Sequence, residues 1–405
     1  MEPVIRRLVI QGFRSIRSEV VDFDNPTFLI GLNGSGKTNL ADALVFLSDA
    51  MTNRMPEVFS WRGGGQVVCH GSSTLSSDGE DRALALGVVL GSLGDEIATA
   101  RYAFQVVARG ARRPSYVVQR EQCVIEGRGG WRNWFERVEN KTFRSNIAGL
   151  EPWLAEDSLA LPLIGGDRRF APVFRSLEGM QYYSIDPHKL RGWQIADSGG
   201  VLYSDGSNAA RVLREIADRD PDDLQRICEL MEAIVPTLKR VEVKEYGGRL
   251  ELEFTQRWDD GPRSLTLEAS AMSDGTLRAL GLLTAVYQRP TPSLLVIEEP
   301  EVTIHPGALG VILDVLRLAS RRTQVIVTTH SPEVLDADWL EDRHIRIVTW
   351  QDGATRVTPL SIGSREALRE HLATAGELFR SNALDGMPPG PESPQRSELF
   401  EDLAA

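Results

Sequence analysis

Residues 31–38 read Gly-Leu-Asn-Gly-Ser-Gly-Lys-Thr, and their setting constrains the fold more than any other stretch of the chain. Thr27 to Ile30 before them is a short apolar run of strand character. Asn39 to Ala50 after them places apolar residues at 40, 41, 43, 44, 46 and 47, a helical spacing. Strand, glycine loop and helix in this order make a phosphate loop. The glycines let backbone amides converge on phosphate oxygens, Lys37 reaches the outer phosphates, and the Thr38 hydroxyl is available to magnesium. Gly31, Asn33, Gly34, Ser35, Gly36, Lys37, Thr38 and Asn39 are therefore the candidate nucleotide-binding residues. The loop by itself selects neither the nucleotide nor hydrolysis.

A second constellation lies far along the chain. Ser-Leu-Leu-Val-Ile-Glu-Glu at 293–299 is an apolar strand ending in paired carboxylates, followed by Pro300-Glu301 and His305-Pro306. Buried strands of parallel sheets have this continuous apolar character, and their C-terminal ends are where ligands gather. Glu298 is the candidate to hold or orient magnesium, and Glu299 to polarise the water attacking a γ-phosphate. Another strand, Gln324 to Thr328, delivers Thr329-His330-Ser331 and makes His330 a candidate γ-phosphate contact.

Between these stretches the pattern is mixed. Leu84 to Leu90, Ala98 to Val107 and Ser115 to Arg120 are strand-like runs separated by turn residues, which predicts an antiparallel sheet. Residues 52–82, with Gly63-Gly64-Gly65 and Ser72-Ser73, are expected to be surface loops. The aromatic-bearing stretch from Trp131 to Tyr183 is expected to open a helical insertion, and 208–235 reads as amphipathic helix broken at Pro221. Strands follow at 238–246, 249–256 and 264–268. The resulting division is 1–130 and 236–384 as two parts of one core, 131–235 as an inserted, mainly helical lobe, and 385–405 as a flexible tail that is Pro-rich and then acidic.

Composition narrows the function. At 405 residues, 42% hydrophobic and 25% charged, the chain is outside the disordered, collagen-like and coiled-coil classes. Its formal charge of −12 opposes a surface that coats nucleic acid, although Arg109, Arg112, Arg113, Arg120, Arg128 and Arg132 offer a local positive strip whose plainer reading is solvated strand edges. Cys69, Cys123 and Cys228 have neither disulfide-framework nor zinc-site spacing, and no export signal or membrane span is evident. A cytoplasmic protein without a membrane partner is expected.

The motifs, taken in order, resemble the ATPase head of the ABC-type superfamily, nearest the RecF/SMC-like branch and the ATPase parts of overcoming-lysogenization-defect nucleases. The resemblance rests on Ile5 to Phe13 with Arg14-Ser15, GLNGSGKTNLADAL at 31–44, SAMSDGTLRALGLL at 270–283, LLVIEEPEVTIHP at 294–306 and VIVTTHSPEVL at 325–335. It implies an α/β P-loop NTPase fold with a mixed sheet core, an antiparallel subdomain and an inserted, mainly helical lobe. It makes Ser273, Asp274 and Gly275 the signature loop, heading a helix over Thr276 to Val286. Asp274 stands where a glycine is frequent, and Glu298 where aspartate is usual. The resemblance also implies a Q-loop glutamine, with Gln66, Gln105 and Gln181 left open for that place.

By the same resemblance ATP and Mg2+ are the cofactors, with Thr38 and Glu298 on the metal and Lys37, Glu299 and His330 in catalysis. Two copies would pair as a homodimer with composite ATP sites. Roughly 240 residues separate Lys37 from Ser273 without sustained heptads, so a long coiled-coil tether is not expected. Roughly 70 follow Ser331, too few for an additional nuclease domain. The expected role is control of a separate effector, a nuclease or toxin, in bacterial anti-phage defence. The alternative is a RecF-like repair ATPase binding DNA through the inserted lobe; a transporter ATPase is disfavoured by the IEEPE pattern.

Overall fold

Ile5–Phe13 and Ile16–Asp22 pair as an antiparallel hairpin whose tight connection places Arg14 at φ 47°. They open a seven-stranded sheet in the computed structural model, which describes residues 2–73, 75, 81–110, 114–138, 142–196, 200–258, 263–388, 399–401 and 403. The chain divides into two units. One comprises Met1–Met180, Glu341–Leu372 and Asn382–Ala405; the other comprises Gln181–Leu340 and Ala373–Ser381.

In the first unit, Ile5–Phe13 is followed across the sheet by Arg82–Leu90, Ile97–Arg109, Ser115–Gly127, Arg132–Val138 and Thr142–Ser145, every neighbouring pair antiparallel. The three expected strands are thus present, each longer than the sequence reading. Alternation sends Leu8, Ile10, Leu86, Val88, Tyr102, Phe104 and Cys123 to one buried face. The helix Lys37–Thr52 contributes Phe46 to the same core, edge-on to Phe13 at 5.6 Å and stacked near Phe104 at 6.3 Å. Thr27–Ile30, which leads into that helix, runs parallel to Ile345–Gln351, which turns back antiparallel along Ala354–Pro359.

Two expectations change here. Residues 52–82 are not simply surface loops: Met55–Ser60 is a helix with Pro56 in its first turn, and Phe59 is buried against Tyr116 at 4.3 Å and Phe46 at 5.3 Å. The helical stretch also begins later than residue 131, because 132–145 supply the last two sheet strands. The aromatics there follow the sheet's alternation, which buries Phe135, whereas Trp153 is 85% exposed.

In the second unit, Leu294–Glu298 and Gln324–Thr329 pair in parallel from Leu294 opposite Gln324 to Glu298 opposite Thr328. Both are buried except at the terminal carboxylate, as their apolar runs require. The helix Asp274–Tyr287 is buried from Thr276 to its end. Ala209–Arg219 and Pro221–Ile234 form the expected broken helix. Leu238–Tyr246, Arg249–Gln256 and Leu265–Glu268 form an antiparallel meander.

Candidate functional site: a phosphate loop and an acidic strand edge

The phosphate loop belongs to the first unit and leaves the C-terminal end of Thr27–Ile30. Leu32, Asn33 and Gly34 are exposed at its crest, Ser35 and Lys37 are buried at 5% exposure, and Thr38 is exposed at the helix start. The Lys37 ammonium donates to the Gly31 carbonyl at 2.7 Å and the Leu32 carbonyl at 3.2 Å, the pairing a buried cation needs. Gly36 has φ 103°, and a Cβ there would lie 1.9 Å from the Thr355 hydroxyl, so side chain and conformation both demand glycine.

Beneath the loop is a polar brace that the sequence reading missed. The fully buried Thr355 hydroxyl donates to the Ser35 carbonyl at 3.0 Å and lies 2.7 Å from Ser15 Oγ. Asn39 donates its amide to Ser15 Oγ at 2.6 Å, so this candidate ligand braces the loop. Nothing local marks Thr355, which lies some 320 residues from Ser35. Ser35 Oγ is buried without a hydrogen-bond partner, an unsatisfied polar atom inside a loop otherwise lined with amides. That atom and the glycine cradle suit a phosphate-bearing ligand.

The second unit assembles Glu298, Glu299 and His330 at one edge. Glu299 follows its strand with φ 43°, a left-handed conformation unfavourable for a residue bearing a Cβ. Its backbone N–H donates to the Thr328 carbonyl at 2.9 Å, and its Oε1 lies 2.9 Å from His330 Nδ1. Glu298 accepts a short hydrogen bond from the Tyr182 hydroxyl. Glu301 braces the histidine turn, its Oε1 accepting from Thr329 Oγ1 at 2.6 Å and from the His330 backbone at 3.3 Å, while its buried Oε2 has no partner.

The signature residues lie in this unit too. Ser273 caps Asp274–Tyr287, accepting from the Thr276 N–H at 3.2 Å. Asp274 pairs with Arg191, whose guanidinium also donates to the Ser270 carbonyl at 3.1 Å, giving the unusual acid a structural partner. A Cβ on Gly275 would stand 2.4 Å from the Thr303 carbonyl, so this glycine admits the segment that follows the acidic edge. From the helix interior, Arg278 donates to the carbonyls of Ile185 at 2.9 Å, Glu298 at 3.2 Å and Glu299 at 3.0 Å. Burial holds its pKa below the usual guanidinium range, opposed by the carboxylates of Glu301, Glu299 and Glu298. The signal for Arg278 was present in the sequence as a lone cation within the apolar run Leu277 to Val286.

Other candidates fall elsewhere. Gln66 lies in the short helix Gly65–Val68, Gln105 in the strand Ile97–Arg109 and Gln181 in Met180–Tyr183. In the arginine strip, Arg120 pairs with Glu136 at 2.7 Å, Arg128 donates to Ser92 at 2.8 Å and Arg132 pairs with Glu401. Arg112 and Arg113 lie outside the described residues. Among the described residues no group of three or more His, Cys, Asp or Glu side chains could hold a metal, and no helix is long and apolar enough to cross a membrane.

The chain has a mixed α/β fold similar to that of Smc heads, and two of its segments match ATPase domain families. Residues 4–81 match an AAA ATPase domain family, and residues 169–336 match an AAA domain family described with the AbiEii toxin and a Type IV TA system. The chain superposes on an Smc head bound to the C-winged helix domain of ScpA with TM-score 0.51 and 14% identity, over 89% of this chain and 99% of that one. It superposes equally on an Smc head with an extended coiled coil bound to the C-terminal domain of ScpA from Pyrococcus furiosus, with TM-score 0.51 and 14% identity, over 91% and 99%. The DNA replication and repair protein RecF of Pasteurella multocida is 31% identical over 99 residues, 19% of this chain and 28% of that protein's length.

Proposed function

We propose that the chain is a nucleotide-driven switch: ATP joins two copies, hydrolysis parts them, and the change in association controls a separate effector. The observation that carries this reading is the Glu299–His330 pair at 2.9 Å, held on a left-handed backbone at the end of a buried parallel strand. Strain of this kind costs on the order of 1–3 kcal/mol and persists where the surroundings impose it, often at reacting sites. In this reading Glu299 accepts a proton from the attacking water and His330 orients the carboxylate.

Lys37 binds the outer phosphates of ATP. Ser273 and Gly275 of one copy meet the γ-phosphate held by the phosphate loop of the other, so the active unit is a homodimer with two equivalent composite sites. Thr38 and Glu298 are the residues that would hold Mg2+, which when bound neutralises charge on the phosphates. A magnesium ion that keeps several waters needs only one or two protein ligands, in keeping with this small donor set. The family described with a Type IV TA system favours a toxin or nuclease effector and a role in anti-phage defence.

The match to RecF favours a second reading, a repair ATPase that binds DNA. Native mass measurement of Glu299→Gln, isolated with its associated proteins, separates the two. We expect this variant to retain ATP, to accumulate as a dimer when ATP is added, and to turn over ~10²–10⁴-fold more slowly, as loss of a general base does. Turnover equal to wild type would remove Glu299 from its role. Co-isolation of a small effector supports the switch, whereas stoichiometric duplex DNA on the ATP-bound dimer supports the repair reading.

A further inference from the structure

The seven-stranded sheet has a second face, and one row of residues across it narrows to Gly87 and Ala103 at its centre. Cross-strand partners share a face, so the register places Val20, Val9, Gly87, Ala103, Gln122, Glu136 and Arg144 side by side on successive strands. Glycine within a strand weakens it and marks a place where another chain comes close. Here that chain is the C-terminal segment. Leu399 and Phe400 are buried in a cluster with Val9, Ala85 and Ala103, packed against Val20. A Cβ on Gly87 would lie 2.8 Å from Leu399 Cδ2 and 3.2 Å from Ala103 Cβ, so the missing side chain at 87 is the seat of Leu399.

The next contacts read a peptide backbone and an acid. The buried Gln122 side chain donates through Nε2 to the Glu401 carbonyl at 2.9 Å, and its Oε1 accepts from the Glu401 N–H at 2.8 Å. A side-chain amide used in both directions acts like a neighbouring strand: it recognises any extended residue, whatever its side chain. Arg120 stacks its guanidinium 4.4 Å from the Phe400 ring centroid. The Glu401 carboxylate meets Arg101 at 3.2 Å and also pairs with Arg132. Behind them the buried Glu136 fixes Arg120 at 2.7 Å and Arg144 at 2.6 Å.

We propose that this face is a docking groove for a short hydrophobic, aromatic and acidic segment of a partner protein, and that the chain's own Leu399-Phe400-Glu401 masks it. The chemistry of the seated segment defines the partner: a leucine-sized side chain over Gly87, an aromatic ring under Arg120, an extended backbone on Gln122 and a carboxylate between Arg101 and Arg132. A duplex would use the arginines but has nothing to place on Val9, Ala85 and Ala103. The proposal is independent of the nucleotide cycle. It reassigns Arg120 and Arg132, two members of the basic strip, to peptide recognition.

The test uses the full chain and a fluorescein-labelled peptide, Arg-Ser-Glu-Leu-Phe-Glu-Asp-Leu-Ala-Ala, matching residues 396–405, with binding read by fluorescence polarisation. A covalently attached competitor acts at high effective concentration, so wild type should bind at least about tenfold more weakly than the Leu399→Ala/Phe400→Ala chain. Adding Gly87→Val to that chain should abolish binding. A folded double variant that binds no better than wild type overturns the proposal. Should the double variant fail to fold, Glu401→Arg perturbs only the part-exposed carboxylate and should strengthen peptide binding severalfold; no change overturns the proposal. Salt-sensitive duplex DNA binding by the double variant, lost on Arg101→Glu/Arg132→Glu, in place of peptide binding, overturns it in favour of a nucleic-acid surface. Self-association of wild type that Phe400→Ala abolishes overturns it in favour of a second copy.

Discussion

In the phosphate loop the functional groups are mostly backbone, and the side chains around them hold that backbone in place: Thr355 on the Ser35 carbonyl, Asn39 on Ser15, and Lys37 on Gly31 and Leu32. At the acidic edge the relation is reversed. Glu298, Glu299 and His330 present side chains, and each is aimed by another side chain or by a carbonyl clamp, with Tyr182, Glu301 and Arg278 as the supports. A backbone site tolerates change wherever the path of the chain survives. A side-chain site depends on every supporting residue. The loop should therefore fail in one step, at Lys37, whereas the edge should fail in graded steps.

The largest effect is expected at Lys37. Lys37→Ala removes the cation that charge-assists phosphate binding, and ATP affinity measured by calorimetry should fall on the order of a hundredfold or more with little loss of thermal stability. Comparable loss from Asn39→Ala would break the comparison, because Asn39 acts on Ser15 and only indirectly on the loop.

Arg278 comes next and sharpens the contrast. It is buried, supports three carbonyls and carries no ligand role, so Arg278→Ala should destabilise the chain by about 2–4 kcal/mol through lost charged hydrogen bonds and a cavity. Turnover should fall about tenfold or more while ATP affinity stays near wild type, since the loop's scaffold belongs to the other unit. Arg278→Lys, with one ammonium in place of a fork, should recover only part of either loss. Equal losses in binding and turnover would show that the two regions are not built separately.

This contrast also accounts for what the sequence disclosed. The loop was legible because strand, glycines, lysine and helix are contiguous, and Gly36 is dictated by a local left-handed turn. The strand ending in Glu298 and Glu299 was legible through its apolar run. Thr355 and Tyr182 were not singled out, because each acts on a segment distant in sequence and has no local pattern of its own; Arg278 stands out as a lone cation in an apolar run, but nothing local says which carbonyls it holds. The 52–82 segment was read as loop because its glycines and serines outnumber its apolar residues, yet Met55, Val58 and Phe59 are enough to bury a short helix. The C-terminal segment posed the same difficulty: its Pro-rich and then acidic composition reads as a flexible tail, whereas Leu399 and Phe400 are buried.

Tyr182→Phe tests the gentlest support at the edge. It deletes one hydroxyl that donates to Glu298 and leaves the ring, so steady-state turnover should fall about two- to tenfold, the kinetic equivalent of roughly 1 kcal/mol. An effect as large as that of Arg278→Ala would mean that the hydroxyl takes part in the chemistry beyond aiming the carboxylate.

The smallest effect is expected far from either half-site, at Glu121. This carboxyl is buried in the sheet of the first unit and accepts hydrogen bonds from the Tyr102 hydroxyl at 2.9 Å and from the N–H groups of Ala160 at 2.6 Å and Leu161 at 2.9 Å. Burial nevertheless raises its pKa above the ordinary carboxylate range, outweighing those bonds and the nearby Arg137. The native state then holds a proton that the unfolded chain has released, so the contribution of Glu121 to stability is fully present below the unfolded pKa. It is lost as pH rises through the higher folded value. Glu121→Gln retains the shape and removes the titration, and its urea-unfolding free energy should vary less with pH across that window than that of the wild type. ATP affinity and turnover should not change, because Glu121 supports neither the loop nor the edge. A shift in either would show that the seven-stranded sheet is energetically part of the site.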